Sequence, residues 1–240
     1  MKEKIEMLNK LIKISRKIVF FGGAGVSTES GLPDFRGTGG LYQTNDAYPP
    51  EEILSHDFFF THTEEFYRFY RKKMAIDTVA PNITHCKLAE LETAGKLLAV
   101  VTQNIDGLHQ AAGSKTVYEL HGSIHRNHCL SCGHSYSLRE ILAQAGVPHC
   151  SCGGVIKPDV VLYGENLPES TLAGAIAAIS RADLLIVGGT SLSVYPAAGL
   201  VRYYGGRELV LINKAPTPMD GKASLLFSCG LGEVFGRIEI

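Results

Sequence analysis

KIVFFGGAGVSTESGLPDFRG, residues 17–37, joins an unbroken apolar run to a glycine-rich turn. A run with no polar face suits a strand buried on both sides, as in a parallel sheet covered by helices. Gly22, Gly23 and Gly25 permit close backbone approach, and Ser27 or Thr28 can open a helix whose first N–H groups face an anion. A diphosphate fits such a turn. The dinucleotide-binding fingerprint of dehydrogenases is nevertheless incomplete: Thr28 stands where the third glycine would follow Gly23 and Gly25, and no second strand ends in a ribose-binding acid about 20 residues on. Hydride transfer loses ground on that count. Taken alone, the turn also serves as an ordinary strand-to-helix connection.

Five further runs share the character of the first: LLAVVTQ at 97–103, TVYEL at 116–120, DLLIVGG at 183–189, ELVLIN at 208–213 and SLLFSC at 224–229. Helical patterns such as THCKLAELETAG and ESTLAGAIAAISRA separate several of them. Strands alternating with helices predict an α/β fold, a Rossmann-like doubly wound parallel sheet. Two stretches break the rhythm. Residues 37–80 carry a Gly-, Tyr- and Pro-containing loop and the aromatic segment HDFFFTHTEEFYRFYRKKM, and residues 125–157 hold four cysteines and little apolar content. Both read as insertions that form a smaller lobe against the sheet, with the cleft between lobes as the expected site.

Bulk properties narrow the classes. The chain has 240 residues, 45% hydrophobic content and a formal net charge of −1, so neither a nucleic-acid-binding field nor a polybasic membrane tract is present. Ile5, Leu8, Leu11 and Ile12 line one side of an N-terminal helix interleaved with charge, unlike the apolar core of a signal peptide. No apolar run nears the roughly 20 residues that span a bilayer. The expected setting is the cytoplasm, where six cysteines serve as metal ligands or free thiols rather than disulfides.

Polar residues gather where strands end. TQNIDGLH, at 102–109, follows LLAVV and puts Gln103, Asn104 and Asp106 at a carboxyl edge, where ligands bind in open α/β sheets. Carboxamide and carboxylate suit a ribose or an amide, although Asn104 and Asp106 can equally cap the next helix, and His109 reads as a satisfied core or surface histidine. YELHGSIH ends another strand at His121, an imidazole suited to deprotonating a sugar hydroxyl or to an ordinary structural place. Asp34, Phe35 and Arg36 form a Gly-bounded flap able to cover a flat ring and pair with phosphate; the same segment reads as a solvated loop with Phe35 plugging the core. PDVVLYGENLP reads as a two-faced apolar strand entering Gly164 and Glu165, while Gly189, Thr190, Ser191 and Asn213 end two more strands.

Cys129 and Cys132, with Cys150 and Cys152, form two tight pairs followed by glycine, a pattern for tetrahedral structural zinc with no open position. The second pair has a one-residue spacer, so His128, His134 or His149 could replace one sulfur. Cys86 and Cys229 read as buried small residues.

Together GAGVSTESGLPDFRG, TQNIDGLH, ELHG, the four cysteines, GENLP and GTSLSVYPAA resemble the sirtuin family in composition and order across nearly the whole chain. The resemblance implies a bacterial NAD-dependent protein-lysine deacylase with NAD as co-substrate and Zn2+ as a structural ion, acting on acyl-lysine proteins or peptides. His121 matches the family's general base, and Asn104 and Asp106 match the pocket for nicotinamide and its ribose. Gly23, Ala24, Gly25, Asp34, Phe35, Arg36, Gln103, Ile105, Gly189, Thr190, Ser191, Asn213 and Cys229 map to the cofactor-binding positions. Val160, Val161, Gly164, Glu165 and Val194 map to the groove where a peptide adds as an extended strand, with Tyr67 and Tyr70 on the acyl side. The implied domains are 1–36, 86–124 and 158–240 for NAD, 37–85 for the cofactor loop and helical insertion, and 125–157 for zinc.

Members that prefer acidic acyl groups carry Tyr-x-x-Arg in the insertion helix. Here Tyr70 comes three residues after Tyr67, and Arg71 is one place late, a turn of about 100° on a helix. Neutral acyl groups are therefore expected over succinyl. The aromatic after GGL is Tyr42 where tryptophan is commoner. An NAD-dependent ADP-ribosyltransferase, or a non-catalytic NAD- and peptide-binding module, would share the pocket. Neither nucleic acid nor membrane is an expected partner, and the oligomeric state stays open, a monomer included.

Overall fold

The structure, a computed structural model, describes residues 1–35, 37, 40 and 48–240. In chain order its elements are α1 (Lys2–Ile14), β1 (Ile18–Gly22), α2 (Pro50–Ile53), α3 (His56–Thr61), α4 (Thr63–Lys73), α5 (Ile83–Thr93), β2 (Leu97–Thr102), α6 (Leu108–Ala111) and β3 (Val117–Glu119). There follow β4 (Gly122–Cys129), β5 (Ser135–Tyr136), α7 (Leu138–Ala143), β6 (Ile156–Val160), α8 (Glu169–Arg181), β7 (Leu184–Gly188), β8 (Glu208–Ile212), β9 (Leu225–Phe227) and α9 (Leu231–Phe235).

All six β-rich runs pair in parallel as one sheet, in the order β3-β2-β1-β7-β8-β9. Counted within the sheet this is 3-2-1-4-5-6, the doubly wound order. The central strands are buried throughout because alternate residues feed two cores. Phe20, Val100, Ile186 and Val210 pack with Leu8 and Ile12 of α1, Leu88 of α5 and Phe235 of α9. Val19, Phe21, Val101, Leu185 and Val187 pack with Ala175 and Ile179 of α8 and with Leu200 of a 3-10 segment at Ala197–Tyr203. The order reverses between β1 and β7, and there the carboxyl edge opens a crevice.

The second sheet is antiparallel, β5-β4-β6, and shares a third core with α3 and α4: Phe59, Phe66, Tyr67, Tyr70, Ile124, Ile141 and Ile156. Both insertions therefore merge into one small lobe. Three expectations change. The turn after β1 continues as two 3-10 turns, Ala24–Val26 and Thr28–Ser30, because Gly31 at φ 95° halts them before an α-helix forms. PDVVLYGENLP is a strand only as far as Val160, and that strand joins the small sheet; beyond it the Val161 N–H goes to His121 and the Tyr163 N–H to Leu54. Cys86 and Cys229 are half-buried rather than buried. Among the described residues no helix is long and apolar enough to cross a membrane.

Candidate active site

Two glycine turns meet where β1 and β7 end. The Gly25 N–H donates to the Gly189 carbonyl at 2.9 Å, and a Cβ on Gly25 would lie 2.7 Å from the Gly189 Cα. Only glycine permits that approach. Gly23, Ala24 and Gly25 thus face Gly189, Thr190 and Ser191 across the crevice, which leaves main-chain groups and short side chains to meet a phosphate or ribose. Asn213, at the end of β8, gives its side-chain NH2 to the Ala215 carbonyl at 2.7 Å, and Cys229 follows β9 on the same edge.

The segment after β2 supplies the polar centre. Asn104 Nδ2 donates to Ser27 Oγ at 3.0 Å, and Ser27 Oγ donates to Asp106 Oδ2 at 2.6 Å. Asp106 Oδ1 accepts the Leu108 N–H at 2.9 Å, so the carboxylate starts α6 and orients the site at once. Gln103 Nε2 donates to Thr190 Oγ1 at 3.0 Å, which ties this segment to the facing turn. Ile105 accepts the Ile124 N–H at 3.0 Å, and Phe35 packs against the small-lobe core. Asp34 closes the flap's turn by accepting the Gly37 N–H at 2.6 Å. Arg36 and Tyr42 lie outside the described residues.

His121 stands at the end of β3, with Nδ1 3.0 Å from the Gln103 carbonyl. A carbonyl only accepts, so Nδ1 carries the proton and Nε2 keeps its lone pair. Burial holds the imidazole below its ordinary range, and the Gln103 carbonyl works the other way. The result is a neutral base at neutral pH. Gly122 follows with φ 76°, where a Cβ would strike the Asp159 carbonyl of β6; glycine here lets the two sheets meet beside His121.

Behind Asp106 lies a pair of buried imidazoles. The His85 and His109 rings are 4.7 Å apart, and burial lowers both pKa values, that of His109 to about 3. Asp106 opposes the shift of His85, whose Nδ1 accepts the Asn82 N–H at 3.2 Å. His109 is a core residue as expected, yet neither of its nitrogens has a partner among the described residues, so it is not a satisfied one.

On the small-lobe side, Val160, Val161, Gly164 and Glu165 run from the end of β6 past His121, and Val194 follows the Thr190 turn. Leu192 between them has φ 53°, an uncommon conformation for a branched residue, with its N–H on Thr190 Oγ1. Tyr67 and Tyr70 are buried in the third core, where the Tyr67 hydroxyl donates to the Ile156 carbonyl and the Tyr70 hydroxyl has no partner among the described residues. Arg71 points elsewhere: Nη2 donates to the carbonyls of Ile141 and Gly146, each at 3.0 Å, which caps the end of α7.

The Sγ atoms of Cys129, Cys132, Cys150 and Cys152 all lie within 4.8 Å of one another. The Cys129–Cys152 and Cys132–Cys150 separations are 3.5 and 3.6 Å. A tetrahedron with Zn–S bonds of about 2.3 Å has edges near 3.8 Å, so four thiolates fit zinc and leave no open position. The histidines considered as substitutes are elsewhere: His149 Nδ1 bonds the Val147 carbonyl, His128 faces Asp159, and His134 packs on Tyr136.

Ser27, at the centre of the hydrogen bonds, and His85, behind Asp106, were not among the expected site residues. A hydroxyl two places after a phosphate-type turn could have marked Ser27; nothing local marks His85.

The chain is similar to known proteins in sequence and fold. A family model described as the Sir2 family matches residues 23–196. The NAD-dependent protein deacetylase of Clostridium acetobutylicum is 57% identical over 240 residues, covering 98% of each chain. A Sir2 structure with a p53 peptide and NAD+ superposes with a TM-score of 0.86 at 42% identity, over 97% of this chain and 96% of that one. Sir2Tm bound to a propionylated peptide gives 0.85 at 40% identity, over 98% and 96%.

Proposed function

The chain belongs to the Sir2 family, and on that footing we propose that it is an NAD-dependent protein-lysine deacetylase. The observation that carries the reading is His121: its Nε2 is left basic by the Nδ1 bond to Gln103, and Gln103 is itself bonded to the Thr190 turn of the cofactor crevice. Gly23, Ala24, Gly25, Gly189, Thr190 and Ser191 hold the diphosphate and ribose, and Asn213 and Cys229 border the adenosine end. Asn104, Asp106 and Ser27 hold the nicotinamide side, with Asp34, Phe35 and Ile105 beside it.

The peptide enters as an extended strand between residues 160–165 and Val194, held mainly by backbone bonds. The acetyl oxygen attacks the anomeric carbon of NAD and nicotinamide leaves with the bond electrons. His121 Nε2 then takes the proton of a ribose hydroxyl, whose oxygen attacks the imidate carbon, and hydrolysis of that adduct leaves the acyl group on ADP-ribose and a free lysine. Zinc on the four cysteines supplies structure to the small lobe.

The preference extends to neutral acyl groups over succinyl. Arg71 spends its guanidinium on the end of α7, and Tyr70 occupies the position three residues after Tyr67. The propionylated peptide on Sir2Tm supports tolerance of a neutral chain longer than acetyl.

Mass spectrometry of the protein incubated with an acetyl-lysine peptide and NAD tests the reading. Deacetylated peptide, nicotinamide and acetyl-ADP-ribose appearing in equal amounts is the expected result. ADP-ribose attached to protein with the peptide unchanged would identify an ADP-ribosyltransferase, and no product at all would leave a binding module.

A further inference from the structure

Lys157 is the unusual residue beside the peptide groove. It sits on β6 and is 7% exposed, yet it carries an ammonium, and such groups are almost never buried unless paired. Its Nζ lies 3.2 Å from Glu165, 3.1 Å from the Val160 carbonyl and 3.4 Å from the Pro158 carbonyl, and 5.8 Å from the centre of the buried Phe59 ring of α3. Glu165 Oε2 also accepts the Leu162 N–H at 2.9 Å. One ion pair thus fastens the segment 158–165 at Pro158, Val160, Leu162 and Glu165, and holds it against the small sheet and the helical insertion. A cavity of about 390 Å³ runs along the same segment, with Lys157, Val160, Val161 and Glu165 on one side and Glu119 and Arg126 among the residues that complete its lining.

A buried ion pair is a weak source of stability, because desolvation offsets most of the attraction, and apolar replacements are often neutral. Its value here is directional. Backbone recognition of an extended peptide needs one edge held at fixed register, and 158–165 has left regular strand by Val160.

We propose that the Lys157–Glu165 pair is a positioning device that fixes the 160–165 edge for the incoming peptide, a proposal that rests on the deacetylase reading. Lys157 and Glu165 act through the backbone they hold, not on the reacting atoms. The distances from Nζ to two main-chain carbonyls and one carboxylate show the whole triangle that would be lost.

The test uses the full-length, zinc-loaded chain. Lys157→Met with Glu165→Leu replaces the pair by apolar groups; Lys157→Met alone leaves Glu165 intact, and Lys157→Arg keeps the charge. Peptide KM and kcat at saturating NAD, NAD affinity, Tm, and affinity for a fluorescent acetyl-lysine peptide are measured for each. The expected result is a peptide KM and dissociation constant raised about tenfold or more in both Met variants, with kcat and NAD affinity within about twofold and KM largely restored in Lys157→Arg. An unchanged peptide affinity in a folded double variant overturns the proposal, as does an equal loss of NAD affinity. Should the wild-type chain leave the acetyl peptide intact, the deacetylase reading falls, and the peptide-affinity comparison still decides the role of the pair.

Discussion

At the crevice the contacts are made by main chain and polar side chains close to it: Gly25 bonded to Gly189, Gln103 to Thr190, and Asn104 to Ser27. In the small lobe they are long side chains that reach across elements, Tyr67 to Ile156, Arg71 to the end of α7, and Lys157 to the 158–165 segment. The first arrangement allows no change of size, since a methyl at Gly25 meets Gly189. The second rests on side chains that hold main-chain segments from a distance. Under the proposed function, the co-substrate belongs to the sheet and the choice of peptide and acyl group to the lobe.

The severest way to break that division is to remove the metal core. Cys129→Ser or zinc stripped by chelation should abolish peptide turnover and expose the amides of β4–β6 to hydrogen exchange, while those of β1, β2 and β7 stay protected. Full activity in protein shown metal-free by elemental analysis would contradict the structural role.

Acyl choice sharpens the same contrast. Succinyl-lysine peptide should give a kcat/KM roughly tenfold or more below acetyl, because Arg71 is bonded at the end of α7 and burying a carboxylate unpaired is costly. Equal turnover of the two peptides would show that the lobe reads acyl groups by another route.

The smallest effect lies behind the crevice. His85 and His109 are neutral when folded, so below the ordinary histidine range near 6.5 the unfolded chain binds more protons. Stability is therefore full above that pH and falls as pH drops toward the folded values. His109→Leu should lose roughly 3 °C less Tm between pH 7 and pH 5 than the parent chain. Identical slopes would mean that other groups set the acid sensitivity.

Much of this was legible in the sequence. The six parallel strands declared themselves because a strand between two helix layers has no polar face, and IVFFG or LLIVG leave no alternative. Their carboxyl ends then drew Asn104, Asp106, His121 and Thr190 to one rim. The small lobe was harder. β4, GSIHRNHC, mixes polar and apolar residues because its partners are a four-cysteine cluster and a charged neighbour strand, and VVLYGENLP has the apolar pattern of a strand while its Val161 and Tyr163 N–H groups go to the distant His121 and Leu54 carbonyls. Ser27 acquires its place through a contact far along the chain, 79 residues from Asp106, while His85 pairs with a distant imidazole and Lys157 is buried beside an aromatic ring that no local pattern announces.

The central claim is that His121 serves the second half of the reaction, on a crevice that is complete without it. Exchange of labelled nicotinamide into NAD, in the presence of acetyl peptide, reports the first half; deacetylated peptide reports both. His121→Ala should keep exchange near the parent rate and lose about a hundredfold or more of deacetylation. Near-normal deacetylation by the variant, or loss of exchange in step with deacetylation, would contradict the account.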